Sequence, residues 1–186
     1  MEIVANLHSL LKVMGRKDIS MAVTGKIDRK YMAHYIDAGS LCGGLTPKYE
    51  RLGKDLEEYN VELNPDTETS KNILGESTFK HNGYEVSSDA DPFYADTTSD
   101  LFTALQKIVD GRLKDDNLKT KAVEVHLWTE ATAGKYEAYQ QDCYVVPTSY
   151  GGDTSGYQIP FTVNYTGERV KGKFDITSGS FTADSE

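Results

Sequence analysis

The sequence predicts a mainly β domain, a β-sandwich or partly closed barrel, with one flanking α-helix at about residues 98–113. Three observations carry this reading. Several segments alternate apolar and polar residues with period two. Only one segment shows strong helical spacing. Glycine, proline and asparagine clusters punctuate the chain between them. At 186 residues the chain has the length of one domain and enough material for a core without metal or disulfide support.

The elements follow in order. Leu7–Met14 forms an apolar cluster that fits a short amphipathic helix ended by Gly15. His8, Ser9 and Lys12 interrupt it too often for a signal-peptide core, which points to synthesis in the cytoplasm. Lys30–Asp37, with Tyr31, Tyr35 and Ile36, reads as a strand, and Gly39, Gly43, Gly44 and Pro47 as a loop. Leu56–Leu63 alternates: Glu57, Tyr59, Val61 and Leu63 fall on one face, assigned to a core, and Leu56, Glu58, Asn60 and Glu62 on the other, assigned to an open face. Asn64–Gly75 is polar, contains Pro65, and reads as an exposed loop.

Asn82-Gly83 within Ser77–Ser88 fits either a two-residue hairpin turn or a bulge in a continuous strand. Asp89–Asp96 reads as a turn. The helix follows, with Ser99 as N-cap, Asp100 in its first turn, Leu101, Leu105, Ile108 and Val109 on one face, and Arg112 and Lys114 near its end. Strands are predicted at Ala122–Thr129, Gln140–Val146, Gln158–Tyr165 and Val170–Ile176. Gly167 turns between the last two, and Tyr150–Asp153 forms a loop.

Composition narrows the function. The net charge of −9 opposes adhesion to nucleic acid, which needs clustered cations, but not a surface that nucleic acid slides past. No run approaches the ~18 apolar residues of a membrane span. Cys42 and Cys143 belong to no CxxC motif and read as free thiols. His8, His34, His81 and His126 have no metal-ligand spacing. Asp89-Ala90-Asp91 lacks the glycine and closing glutamate of a calcium loop, and Ser149 lacks the preceding glycine of a nucleophile elbow. The reading is therefore non-enzymatic, with no catalytic, cofactor or metal residues.

A set of ordered segments carries a family resemblance. They include Lys26–Asp37, Arg51–Asn64, Asn72-Ile-Leu-Gly-Glu-Ser77, Asp91-Pro-Phe-Tyr-Ala95, Val123-Glu-Val-His-Leu-Trp128, Ser149-Tyr-Gly-Gly-Asp153 and Tyr165–Asp175, closing with Gly179–Asp184. Together, over about residues 21–184, they resemble the major tail, or tail tube, proteins of long-tailed bacteriophages and prophages of Gram-positive bacteria. The resemblance implies a tail-tube-like β fold and hexameric rings of the chain itself, stacked into a tube through which DNA passes without specific binding. It implies no cofactor, a place in the virion tail, and tape-measure, tail initiator or baseplate, and terminator proteins as partners. Under it, Glu58, Asn60 and Glu62 are candidates to face the lumen. Asn64, Pro65, Asp66, Thr67, Glu68, Thr69, Ser70, Lys71 and Asn72 are candidates for a ring-stacking loop. Residues 21–186 would form the tube domain, with residues 1–20 an N-terminal extension or arm, or an upstream start. Two alternatives stand beside this: a related ring component of a tail, baseplate or injection machine, and a carbohydrate-binding module whose groove uses the twelve tyrosines and Trp128.

Overall fold

A computed structural model describes residues 25–54, 56, 58–132 and 134–184. The expected helix at Leu7–Met14, and the question of whether residues 1–20 are an extension, lie outside them. The strands are β1 (Met32–Asp37), β2 (Tyr49–Leu52), β3 (Pro65–Lys71), β4 (Ser77–Tyr84), β5 (Ser87–Ala90), β6 (Lys119–Thr132), β7 (Lys135–Pro147), β8 (Gly151–Asp153), β9 (Gly156–Gln158), β10 (Phe161–Asp175) and β11 (Ser180–Ala183). The helix is α1 (Asp100–Gly111). Among the described residues the fold is thus mainly β with one flanking α-helix, as the periodicities predict.

One seven-stranded antiparallel sheet dominates, in the order β11-β10-β7-β6-β1-β2, with β5 also paired to β10. This sheet is curled. In its order β7, β6 and β1 separate β10 from β2, and a flat sheet would hold those strands roughly 19 Å apart. Yet the ring of Phe174 on β10 lies 5.6 Å from that of Tyr49 on β2 and 4.5 Å from that of Tyr35 on β1. The Gln140 side chain of β7 donates to the Tyr49 hydroxyl at 2.6 Å across the same concavity. Ala33, Val123, Val125, Ala138 and Phe174 form the buried inner core there, with Leu127, Tyr136 and Phe181 packed around it. Gly172 is required at its rim, because a Cβ would stand 2.3 Å from the Thr182 carbonyl and 2.6 Å from the Phe181 ring.

The opposite face carries the larger core. Leu101, Leu105, Ile108 and Val109 of α1, at the predicted spacing, join a buried cluster with Ile36, Ala122, Cys143, Val145, Phe161 and Val163 of the sheet. Ser99 caps the helix by accepting from the Phe102 N–H at 2.9 Å. Glu50 on β2 accepts from the Ser99 hydroxyl at 2.6 Å and the Leu101 N–H at 2.9 Å, tying the edge of the sheet to the helix start. Arg112 is the left-handed C-cap at φ 46°. Cys42 and Cys143 are free thiols.

Several predicted elements differ. The described residues of Leu56–Leu63 (56 and 58–63) do not form a strand: apart from a bridge between Glu62 and Ser87 they are irregular. The Arg29 guanidinium, not a neighbouring strand, donates to the Tyr59 carbonyl at 2.9 Å. Tyr59 is buried, but Leu63 is exposed, so the core face ends at Val61. Asn64–Gly75 is not a loop but mainly strand β3, antiparallel to β4. Its polarity reflects two solvated faces, and Pro65 occupies the first strand position, where no inner donor is lost. Asn82-Gly83 makes a bulge, not a turn. Gly167 likewise makes a bulge, so β10 runs unbroken for 15 residues. Parts of the segments read as a turn at Asp89–Asp96 and a loop at Tyr150–Asp153 are the short strands β5 and β8.

His34 is buried against Tyr59, with ring centroids 4.9 Å apart. Beside them the Ser88 hydroxyl donates to the Tyr59 hydroxyl at 2.7 Å, and Tyr165 closes the group. Burial lowers the His34 imidazole pKa from 6.5 to about 4; Glu124 opposes this, while Arg29, Arg169 and His126 reinforce it. The folded chain therefore holds His34 neutral while the unfolded chain protonates it below pH 6.5.

Two stability predictions follow from these cores. Phe174→Ala should lower the unfolding free energy by about 3–5 kcal/mol in urea titration, since it empties the centre of the concave core. Stability should be whole above pH 6.5 and fall by up to about 3 kcal/mol towards pH 4 on account of His34. His34→Gln should flatten that slope; a variant that keeps the wild-type slope would refute the assignment. Glu124 and Glu137, whose pKa values are lowered, lose their contributions at lower pH, as they protonate.

Candidate assembly surfaces

The β3–β4 hairpin is the most exposed element. Every residue of β3 is exposed, and so is every residue of β4 except Gly83. A two-stranded ribbon alone is marginal in water, so its two ends matter. At its root the Asn64 side chain donates to the Glu85 carbonyl at 3.0 Å and the Ser87 hydroxyl at 3.1 Å. At its tip the Asn72 side-chain carbonyl accepts from the N–H groups of Leu74 and Glu76, both at 3.0 Å, and its amide donates to the Glu76 carboxylate at 2.6 Å. This tight tip holds Ile73 and Leu74 in solvent at 103% and 77% relative exposure, and Phe79 and Tyr84 are exposed along β4.

The residues predicted to form a stacking loop all belong to this arm. Asn64 is its root, Pro65, Asp66, Thr67, Glu68, Thr69, Ser70 and Lys71 are β3, and Asn72 opens the tip turn. Sequence reasoning missed Ile73, Leu74, Phe79 and Tyr84. The available signal was an apolar pair between Asn72 and Gly75, which a turn must present to solvent. Glu58, Asn60 and Glu62 are exposed as predicted, with Asn60 donating to Glu58 at 2.5 Å, but they lie on the irregular lead into the arm rather than on a sheet.

Among the described residues the sheet has open edges as well. β2 ends it on one side, and β5 and β11 border β10 on the other. Such edges present backbone donors and acceptors to any further strand.

A polar constellation occupies the helix-side face of β6, β7 and β10. Glu124 lies 2.8 Å from His126 and accepts from Arg169 at 2.6 Å; Lys171 pairs with Glu137 at 3.2 Å. Trp128 stacks on His126 at 4.3 Å, and Arg169 lies over the Tyr139 ring at 4.5 Å. Burial works to raise the Glu124 pKa, but the bonds to His126 and Arg169 outweigh it and the net shift is downward. Each carboxylate is thus held ionised and engaged across strands. The adjoining cavity, lined by His34, Tyr59, Tyr139 and Tyr165, measures about 20 Å³, room for little more than a water. This network pins strands together. No group of His, Cys, Asp and Glu able to hold a metal occurs among the described residues. No helix among them is long and apolar enough to cross a membrane.

No family model and no curated protein matches the chain. Solved structures give fold-level likenesses at low identity. The sheath/tube terminator of an extracellular contractile injection system, PVC, in the extended state is 9% identical with a TM-score of 0.47, over 81% of this chain and 99% of that one. A chain of the PVC sheath-tube complex in the extended state is 12% identical with a TM-score of 0.44, over 81% and 93%. The tube-terminating cap of the anti-feeding prophage is 11% identical with a TM-score of 0.45, over 85% and 98%.

Proposed function

We propose that the chain is a structural, non-catalytic subunit of a phage tail tube, assembling with copies of itself into stacked hexameric rings around a channel for DNA. The observation that carries the reading is the uncovered β3–β4 arm, whose ordered tip exposes two aliphatic side chains. A monomer gains nothing from that arrangement, whereas a copy docking against it buries apolar area. The open sheet edges supply a second mode of self-association, and a closed ring removes them. The ordered segments resembling tail tube proteins point the same way. Tape-measure, initiator or baseplate, and terminator proteins are the partners this role requires, and the virion tail is its location.

The arm is the ring-to-ring contact in this reading. Deleting most of β3 and β4 and joining the root by a short turn should leave the monomer fold intact, because both faces of the arm are solvated. Tube growth should stop. Normal-length tails from the deletion variant, or tails that contain only a few copies of the protein by quantitative mass spectrometry, would refute the role.

Glu58, Asn60 and Glu62 line the channel in this reading, and repeated carboxylates keep DNA mobile there. Glu58→Lys with Glu62→Lys should preserve folding, since both residues are exposed. It should slow genome ejection by making phosphate contacts attractive. Unchanged ejection kinetics, or a tube map with both residues outside, would remove the assignment.

A further inference from the structure

A second surface answers the arm tip in chemistry. A groove of about 440 Å³ lies between the end of α1 and the end of β7, lined by Ile108, Val109, Leu113, Leu118, Val146 and Pro147. Ile108 and Val109 are its buried floor, while Leu113, Leu118, Val146 and Pro147 stay partly open to solvent. The only charged side chain in its lining is Arg112, on the rim. There its guanidinium donates to the Tyr150 hydroxyl at 3.1 Å and lies over that ring at 5.2 Å. The groove is therefore an apolar slot with one cation at its mouth.

The arm tip has the complementary chemistry: Ile73 and Leu74 are both exposed in the turn between Asn72 and Glu76, whose carboxylate accepts from the Asn72 amide. We infer that the tip of one copy seats in the α1–β7 groove of another, with Ile73 and Leu74 entering the slot and Glu76 paired to Arg112. The inference rests on the reading of the chain as a self-assembling subunit and names the site the arm occupies. Charge complementarity selects the partner. An apolar slot alone accepts any greasy segment, but the anion beside the aliphatic pair meets the single rim cation. The tip is also pre-organised by the Asn72 hydrogen bonds, so little ordering is required on docking. The two patches are different surfaces of one chain. The contact is thus heterologous and leaves a free tip and a free groove after each addition, which propagates a stack.

Cross-linking tests the contact in trans. Two single-substitution chains, Leu74→Cys and Ser149→Cys, are mixed, assembled and oxidised. The wild-type chain, with Cys42 half-buried and Cys143 buried, gives the background. A disulfide-linked heterodimer that appears in the mixture and in neither variant alone is the expected result. Tubes without that heterodimer would overturn the docking site and leave the tail-tube reading standing. Absence of any assembly, by the wild-type chain as well, would overturn both. Leu74→Asp should raise the concentration needed for assembly roughly ten- to a hundredfold without changing the monomer's thermal unfolding. Glu76→Lys and Arg112→Glu should each weaken assembly, and the double swap should recover it; a double swap no better than the worse single variant would overturn the pairing.

Discussion

The structure depends on the curl of one sheet around Phe174. Strands that a flat sheet would hold far apart are brought into ring contact at its concave face by Tyr35 and Tyr49. Such curvature needs long strands, which β6, β7 and β10 supply, and local relief where twist accumulates, which the bulge at Gly167 provides. It also needs a rim without side-chain bulk, and Gly172 provides that where β11 crosses.

Curling frees the other face for α1 and for the lead into the arm. Tyr59 drops into the sheet beside His34, and its hydroxyl meets Ser88 and Tyr165. That anchor fixes where residues 60–64 leave the body, and the Glu62–Ser87 bridge and Asn64 bonds fix their direction. The arm is thus aimed by buried groups at its base while making no core of its own. A rigid aim with a solvated shaft suits an element whose contacts lie on another molecule.

Legibility of the sequence followed burial. The helix was readable to within about two residues because a single face meets the core, and its Ser99 cap has a local hydrogen-bond signature. β6 was readable because Val123 and Val125 alternate with Glu124 and His126 between two chemically distinct faces. The arm was not, because strand periodicity records a one-sided environment and β3 has water on both sides. The segment Glu58–Leu63 misled for the opposite reason. It alternates in burial, with Tyr59 buried and Glu58 and Asn60 exposed, yet the Tyr59 carbonyl is bonded by Arg29 and only Glu62 pairs with a strand, at Ser87. Side-chain alternation reports which residues face a core, not whether a neighbour completes the ladder. Among the candidate assembly residues, the sequence pointed to the polar ones on the arm and not to Ile73 and Leu74 at its tip, since apolar residues in a solvated turn have no reason within a single molecule.

Net charge bears on how copies of a chain that carries sheet edges and an apolar tip meet one another. A net charge of −9 sets copies repelling one another at long range, over roughly 8 Å at physiological salt. In the proposed assembly, weak single encounters between tips or edges do not overcome that repulsion. Attraction at the tip is short-ranged, so it prevails only when a neighbour is already held in register. In the proposed assembly a ring supplies that register: it presents several grooves at once, and the arms of the next ring engage together. The gain is then set by effective concentration rather than by the affinity of any one arm. On this proposal, growth on an existing template is favoured over association in solution by the same electrostatics that keeps free subunits apart.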